Sequence, residues 1–586
     1  MPTLHWIGKD KVVNHHRDVP FRVLEHQYGF DAKGDKKEAT QSGNKVIHGD
    51  NLEALKALLP EYEGKIDCIY IDPPYNTGNE GWVYNDNVNH PKIKKWLGEV
   101  VGKEGDDLTR HDKWLCMMYP RVKLLHQLLS DEGVIFISLD DNEQAHLQLL
   151  CDEIFGHSNS IGPIIQNKMN AKNDTVNIQK NHEFILVYRK KTHYKDGTKV
   201  KPSLIHNDFK IRDILQEGEK YYYINDAITT RGEGGTLNAR PNLGYTVYFN
   251  PKTIDKIAVQ DYDVELAKTS NNLNEIYSED KELVKKGYLP IRPPKVRGKL
   301  GCWTWSLEKF NAEKENIVIT GKKGSYAVKK RTFVDEKDVS ETEGKLIYKS
   351  IKSGNSRSIL DFSTNEGTNA LNNIMGKSNM FDNPKNVGMI EYLIGLLNTK
   401  NPTILDSFAG SGTTAHAVLN LNKQDGGNRK FILVEMEDYA NTITTERVKR
   451  VIKGYGKDAK KTEGTGGSFD FYELGLPLFD TNENLNEAVG IEKIREYIWY
   501  SETRTPFIDP KSGNDNEHFL GSKDETAYYF VYDKNALTTL DYDALSSIKT
   551  KAGQYVIYAD NCLLPKEFMA KNNIIFKKIP RDITRF

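Results

Sequence analysis

Asp67-Cys68-Ile69-Tyr70-Ile71-Asp72-Pro73-Pro74-Tyr75 is an apolar run that stops on a carboxylate, two prolines and an aromatic ring. The run is short and carries no alternation, which predicts a strand buried on both faces. Upstream, Val46-Ile47 leads into Gly49-Asp50-Asn51 and then Leu52, Leu55 and Leu58-Leu59 at helical spacing. The reading over 45–75 is therefore strand, helix, strand. Asp72 to Tyr75 then lies at the carboxyl end of a buried strand, where open α/β sheets bind their ligands. Downstream the rhythm repeats: Tyr119 to Leu129 has helical spacing, Ser130 to Gly133 reads as a turn, and Val134 to Leu139 as another buried strand. Helices alternating with apolar strands predict a parallel sheet covered on both faces.

Asp72-Pro73-Pro74-Tyr75 also makes chemical sense as a set. A carboxylate accepts a hydrogen bond from an exocyclic amine. Successive prolines stiffen the backbone and remove N–H donors, which leaves the Pro73 carbonyl for a second amine hydrogen. Tyr75 offers a flat face for stacking, and an extruded nucleobase requires such a pocket.

The pattern returns in the last third of the chain. Val387 to Leu397 reads as a helix, Thr403 to Leu405 as a strand, and Asp406-Ser407-Phe408-Ala409-Gly410-Ser411-Gly412-Thr413-Thr414 as a glycine turn opening a helix. Glycines permit a tight turn and close approach of a ligand, and a helix N-terminus favours an anionic group. Phe431 to Val434 is the next strand, ending on Glu435, which could hold ribose hydroxyls. Gly410, Gly412 and Ala415 formally satisfy a dinucleotide fingerprint, a weak signal alone. No phosphate-binding P-loop is present: Leu371 stands where the first glycine before Gly376-Lys377-Ser378 is required.

Between these blocks, about Lys190 to Glu343, the sequence is rich in Tyr, Asn, Lys and Gly and reads as an insert. Its window Lys281 to Arg331 holds 14 Lys/Arg against 4 Asp/Glu, interleaved with Tyr288, Trp303, Trp305, Phe310 and Tyr326. In a 586-residue chain of net charge −1, such a patch is the footprint of a nucleic-acid surface; Lys295, Arg297 and Lys299 are the expected phosphate contacts. The five cysteines (Cys68, Cys116, Cys151, Cys302, Cys562) are far apart, which argues against a disulfide framework or a zinc site and for a reducing cytoplasm. No metal site, signal peptide or membrane span is expected. A Gly-rich stretch, Glu463 to Ser468, is read as a linker to a small final domain.

DPPY with FAGSGTT, in this order, resembles the β-class DNA amino-methyltransferases. That resemblance implies a Rossmann-like α/β fold with circularly permuted motif order, S-adenosylmethionine as cofactor, and the N6 amine of a flipped adenine in duplex DNA as target. It implies catalytic roles for Asp72, Pro73, Pro74 and Tyr75. It implies a cofactor loop with Asp406, Phe408, Gly410, Gly412 and Thr413. Gly49-Asp50 resembles the family's acidic contact to the cofactor adenine, and Phe381-Asp382-Asn383-Pro384-Lys385 a segment that also serves the cofactor, with Asn386 where a proline usually stands. Asn181-His182-Glu183 resembles a block near the target base; it is kept off the catalytic list, since a lone His-Glu pair is more often structural.

DPPYNTG (Asp72 to Gly78), Arg240-Pro241-Asn242-Leu243, Gly301-Cys302-Trp303-Thr304-Trp305 and Tyr472 to Asp480 further resemble the modification subunit of Type III restriction–modification systems. This implies a homodimer, double-stranded DNA as substrate and a separate ATP-dependent restriction subunit as partner. The expected domains are an N-terminal arm (1–44), a catalytic core in two parts (45–190 and 345–462), an inserted α+β target-recognition domain (191–344) and a C-terminal α+β association domain (469–586). An N4-cytosine methyltransferase, a solitary adenine methyltransferase and an inactive specificity subunit are the alternatives. No cysteine follows a proline, which argues against a 5-methylcytosine enzyme.

Overall fold

The computed structural model describes residues 3–77, 110–169, 178–191, 193–195, 198–200, 204–230, 232–322, 325–342, 344–397, 399–456, 461–480, 482–510 and 517–585. Its contacts divide into two compact units, 1–206 with 355–586 and 207–354. The insert thus runs from 207 to 354, where the sequence suggested 191 to 344.

The first unit is built on one large sheet. Its strands, in chain order, are β1 (Arg22–Asp31), β2 (Gly34–Lys36), β3 (Lys45–His48), β4 (Ile66–Ile71), β5 (Leu129–Leu139), β6 (Ser160–Asn167), β7 (His182–Arg189), β8 (Ile359–Asp361), β9 (Thr403–Asp406), β10 (Lys430–Glu435) and β11 (Ser468–Pro477). Their spatial order is β2-β1-β11-β3-β10-β9-β4-β5-β7-β6-β8. From β11 to β5 every pairing is parallel. Antiparallel pairs enter only outside that block, at β1 and β7.

Alternation explains the layering. On β4, Ile69 and Ile71 enter one apolar core, with Leu52, Leu55 and Leu58 of the helix Asn51–Tyr62 and Trp114 and Leu125 of the helix Arg110–Leu128. Cys68 and Tyr70 enter the other, with Ile390 and Leu393 of the helix Val387–Gly395 and Val418 of the helix Thr413–Asp425. Successive strand residues face opposite sides, so a strand buried on both sides shows an unbroken apolar run.

Two expectations need correction. The residues 130–133 belong to β5, which starts directly after the helix: Leu129 pairs with Ile66 and Val134 with Cys68, so the extra residues form an irregularity inside the strand. More consequentially, the segment after the glycine stretch is no detached domain. β11 lies between β1 and β3 in the central sheet. The helix Ile491–Thr503 buries Ile494, Tyr497, Ile498 and Tyr500 in the same core as Leu55 and Trp114. Tyr500 Oη also donates to Glu63 at 2.5 Å. Beyond it, a four-stranded sheet (Phe519–Lys523, Thr526–Phe530, Gln554–Ala559, Ile574–Lys578) has a small apolar cluster of its own.

The second unit holds antiparallel sheets, including Leu215–Glu217, Lys220–Ala227, Ser325–Val334 and Ile317–Lys322. Its core is Trp303, Tyr245, Val247 and Phe310, with Trp303 Nε1 donating to the Tyr245 carbonyl at 2.7 Å. Trp303 and Phe310, read from sequence as part of a basic, aromatic surface, are therefore core residues. Three cations of that window are not. Lys295, Arg297 and Lys299 are exposed around a tight turn in which Val296 and Lys299 exchange backbone hydrogen bonds. Arg297 and Gly298 both take positive φ there (50° and 79°), the geometry of a two-residue hairpin turn.

Candidate active site

Four parallel neighbours, β3, β10, β9 and β4, end on the functional segments the sequence singled out. β3 leads to Gly49-Asp50, β10 ends on Glu435, β9 ends on Asp406 and β4 on Ile71, one residue before Asp72. Because β9 pairs directly with β4, the glycine loop and the DPPY turn lie side by side although far apart in sequence. A cavity of about 500 Å³ opens there, lined by Asp72 to Tyr75, Glu183, Lys385, Asp406, Phe408, Gly410 and Thr413, among others.

The DPPY turn is held from behind. Trp114 Nε1 donates to the Pro74 carbonyl at 2.6 Å. Asn76 is buried in a left-handed conformation (φ 59°) and its Nδ2 donates to Glu143 Oε1 at 2.5 Å. Glu143 is fully buried and also meets His111 Nδ1 at 2.7 Å and His146 Nδ1 at 2.8 Å. His111, Glu143 and His146 are close enough to share a metal ion. Their contacts are at hydrogen-bond distances, and Asn76 uses the same carboxylate. The cluster is accordingly read as the anchor of the turn.

In front, Asp72, Glu183, Tyr75 and Lys385 form one charged network. Lys385 Nζ lies 3.3 Å from Asp72 Oδ1 and 2.9 Å from Glu183 Oε2. It also donates to Tyr75 Oη at 2.5 Å and sits 4.7 Å from the Tyr75 ring centre. Tyr75 Oη donates to Glu183 at 2.9 Å, and Lys168 pairs with the other Glu183 oxygen at 3.1 Å. Burial pushes the Asp72 carboxyl up to about 6, against the lowering pull of Lys385. For Glu183 burial acts upward too, but Lys385 and Lys168 together outweigh it and hold the group down at about 2. Asp72 Oδ1 meets Lys385 as an ion pair without well-aligned hydrogen-bond geometry, so an N–H donor arriving from the cavity has one ammonium to displace.

The glycine loop is pinned by its own side chains. Asp406 accepts from Thr414 Oγ1 at 2.5 Å and from the Phe408 N–H at 3.1 Å. Glu435 accepts from the Gly410 N–H at 2.7 Å and the Glu437 N–H at 3.0 Å. Burial raises both carboxyls to about 7. Gly412 has φ 78°, and a Cβ there would stand 3.0 Å from the Thr444 carbonyl. The loop thus needs glycine on two counts. It leaves Phe408, Gly410 and Thr413 facing the cavity at the start of a 13-residue helix. Those residues fit a cofactor with an anionic end and a flat ring.

Some predicted site residues also hold the backbone around the site. Asp50 caps the helix Asn51–Tyr62, accepting from the Leu52 and Glu53 N–H groups at 2.8 and 3.2 Å. Glu435 spends both oxygens on backbone N–H groups, and neither residue lines the cavity. Lys385, expected at the cofactor, sits on Asp72. Glu183, kept off the catalytic list, lies within that network; its signal was only the Asn181-His182-Glu183 block. Trp114, Glu143 and His111 carried no local signal at all.

The family model for the DNA methylases that modify N6 or N4 amines matches residues 66–503. The Type III restriction-modification enzyme EcoPI Mod subunit of Escherichia phage P1 is 32% identical over 84% of this chain and 73% of its own length. The Type II methyltransferase M.KpnI of Klebsiella pneumoniae is 32% identical over 70% of this chain and 85% of its own. The EcoP15I Mod subunit of Escherichia coli is 28% identical over 74% of this chain and 64% of its own. With both motifs meeting at one cavity and the match spanning both, the chain belongs to the DNA methylase family and is an S-adenosylmethionine-dependent DNA methyltransferase.

Proposed function

We propose that the chain methylates the N6 amine of an adenine flipped out of duplex DNA, as the modification subunit of a Type III restriction–modification system. The observation that carries the reading is the Asp72 carboxylate and the Tyr75 ring lining one cavity with the glycine loop of the neighbouring strand. S-adenosylmethionine supplies an electrophilic methyl group. Asp72 accepts one amine hydrogen and the Pro73 carbonyl a second, which orients the nitrogen lone pair and draws density toward it. Tyr75 stacks on the base, and Trp114 and Asn76 hold the turn so that this geometry is in place before the base arrives. The gain is positioning and electrostatic preorganisation.

Phe408, Gly410 and Thr413 are the residues that would hold the cofactor, with Gly412, Asp406 and Glu435 shaping their loop. Residues 207–354 act as the target-recognition unit, and the exposed turn carrying Lys295, Arg297 and Lys299 meets phosphates. Likeness to two Mod subunits of Type III restriction-modification enzymes favours a separate restriction subunit as partner; a homodimer in the cytoplasm completes this reading. Likeness to a Type II methyltransferase favours a second reading, a solitary enzyme without that partner. Among the described residues no helix is long and apolar enough to cross a membrane.

The test is methylation of genomic DNA by the purified chain, without ATP, followed by nucleoside analysis and methylation-sensitive sequencing. N6-methyladenine at one sequence context, with no cleavage, is expected. N4-methylcytosine, or no methylation, refutes the reading. Copurification of an ATP-dependent endonuclease from the source cell separates the Type III subunit from the solitary enzyme.

A further inference from the structure

An adenine entering this cavity needs two positions: the acceptor oxygen of Asp72 and a face of the Tyr75 ring. Both are already attended by one group. The Lys385 ammonium lies 3.3 Å from Asp72 Oδ1 and 4.7 Å from the centre of the Tyr75 ring. We propose that Lys385 is a stand-in for the target amine: it attends Asp72 and Tyr75 while the site is without a base, and withdraws onto Glu183 when the base enters. The proposal rests on the adenine reading above and names the residue that prepares the site for it.

The geometry supplies the means of exchange. An ammonium has three N–H donors, and Lys385 Nζ has three polar partners, Asp72, Glu183 and the Tyr75 hydroxyl. Surrendering Asp72 leaves it two, one of them the closer ion pair at 2.9 Å. Glu183 is itself steadied from its far side by Lys168 at 3.1 Å, so it stays a carboxylate throughout. The exchange moves one flexible side chain: Glu183 keeps both of its ammonium partners, and Asp72 trades an ion pair for a hydrogen bond from the incoming amine. The incoming base replaces a cation over the Tyr75 ring with a stacked ring, and an ammonium at Asp72 with an amine.

The stand-in also keeps the acceptor usable. Asp72 sits partly buried among Tyr70, Tyr75, Glu183, Asp406 and Lys385, with Lys168 behind Glu183. Of these only Lys385 brings positive charge close to it. Without that charge the carboxyl takes up a proton more readily, and a protonated carboxyl is a poorer amine acceptor.

The experiment uses full-length Lys385→Met and Lys385→Gln with duplexes carrying either adenine or unsubstituted purine at the mapped target position. Purine lacks the 6-amino group. In the wild type the adenine amine merely replaces an ammonium at Asp72, so adenine should bind little better than purine. In the variants Asp72 has lost its ammonium, and the amine supplies a donor in its place. At pH 9 the ratio of purine to adenine Kd should rise about tenfold or more, the scale of a hydrogen bond to a charged group. The acid limb of single-turnover methylation should also move up by about 1–3 pH units, the usual effect of removing a neighbouring opposite charge. Lys385→Arg should return the limb toward its wild-type position. An unchanged purine-to-adenine ratio, or an unmoved limb, overturns the proposal. Thermal midpoints and affinity for DNA lacking the site verify folding, and two neutral replacements guard against one failing to fold. If the wild type produces no N6-methyladenine, the adenine reading has failed; an inactive stand-in leaves wild-type N6-methyladenine intact and fails only in the variants.

Discussion

Trp114→Phe isolates one atom of the machinery that holds the DPPY turn. The side chain is fully buried, and its Nε1 donates to the Pro74 carbonyl at 2.6 Å. Phenylalanine keeps an aromatic ring and removes that donor. A typical intramolecular hydrogen bond contributes about 1 kcal/mol net, and a carbonyl left dry and unpaired costs about 1–3 kcal/mol. If the turn relaxes so that its strained fit is recovered only in the transition state, the whole amount appears in the barrier. At a factor of ten per 1.36 kcal/mol, 1–3 kcal/mol lowers the single-turnover rate roughly 5- to 150-fold. The cofactor loop follows a different strand, so S-adenosylmethionine affinity should stay within about twofold. Methylation with radiolabelled S-adenosylmethionine at saturating DNA gives the rate, and calorimetry gives the cofactor Kd. A rate within twofold of wild type, accompanied only by a lower thermal midpoint, would show that the bond serves stability and would refute this account of the turn.

Three further expectations follow from the same site. With Asp72 titrating near 6, its charged fraction falls as pH drops through that value, so the saturated rate should fall about tenfold per unit below it; a rate flat down to pH 5 would remove Asp72 from the rate-determining step. A carboxyl whose pKa is raised by folding opposes folding when charged, so Asp72→Asn should be inactive yet raise the thermal midpoint above pH 6, the advantage fading as pH falls toward the ordinary value of 3.8. Gly412→Ala places a left-handed residue, at about 1–2 kcal/mol, against the Thr444 carbonyl; S-adenosylmethionine affinity should fall about 5- to 30-fold, and an unchanged Kd would show that the loop does not need this turn.

How much of this was legible before any coordinates depends on the range of the interaction. Strands β4, β5, β9 and β10 were readable because burial on both faces forbids polar residues along a whole run. The glycines of the loop were readable because backbone conformation restricts residue choice locally. For Glu435 the sequence shows only an acidic residue after a strand; that its oxygens accept from the Gly410 and Glu437 N–H groups is a contact no local pattern encodes. Glu183 and Lys385 meet 202 positions apart, and no local pattern encodes that pairing. The glycine stretch before β11 looked like a linker because flexibility and a sharp return into the sheet call for the same residues.

The position of β11 also bears on how the molecule is made. β3 has β10 on one side and β11 on the other, and β1 reaches the sheet only through β11. A ribosome delivers β11 more than four hundred residues after β1 and β3. Until then the half of the sheet that carries Asp50 and the neighbours of the cofactor loop has an unpaired edge, of the kind that invites association with other chains. Residues 207–354, whose contacts are their own, are free to fold meanwhile. The catalytic unit therefore completes itself late, and the nascent chain is most exposed to misassembly during the long interval between its first strands and the one that joins them.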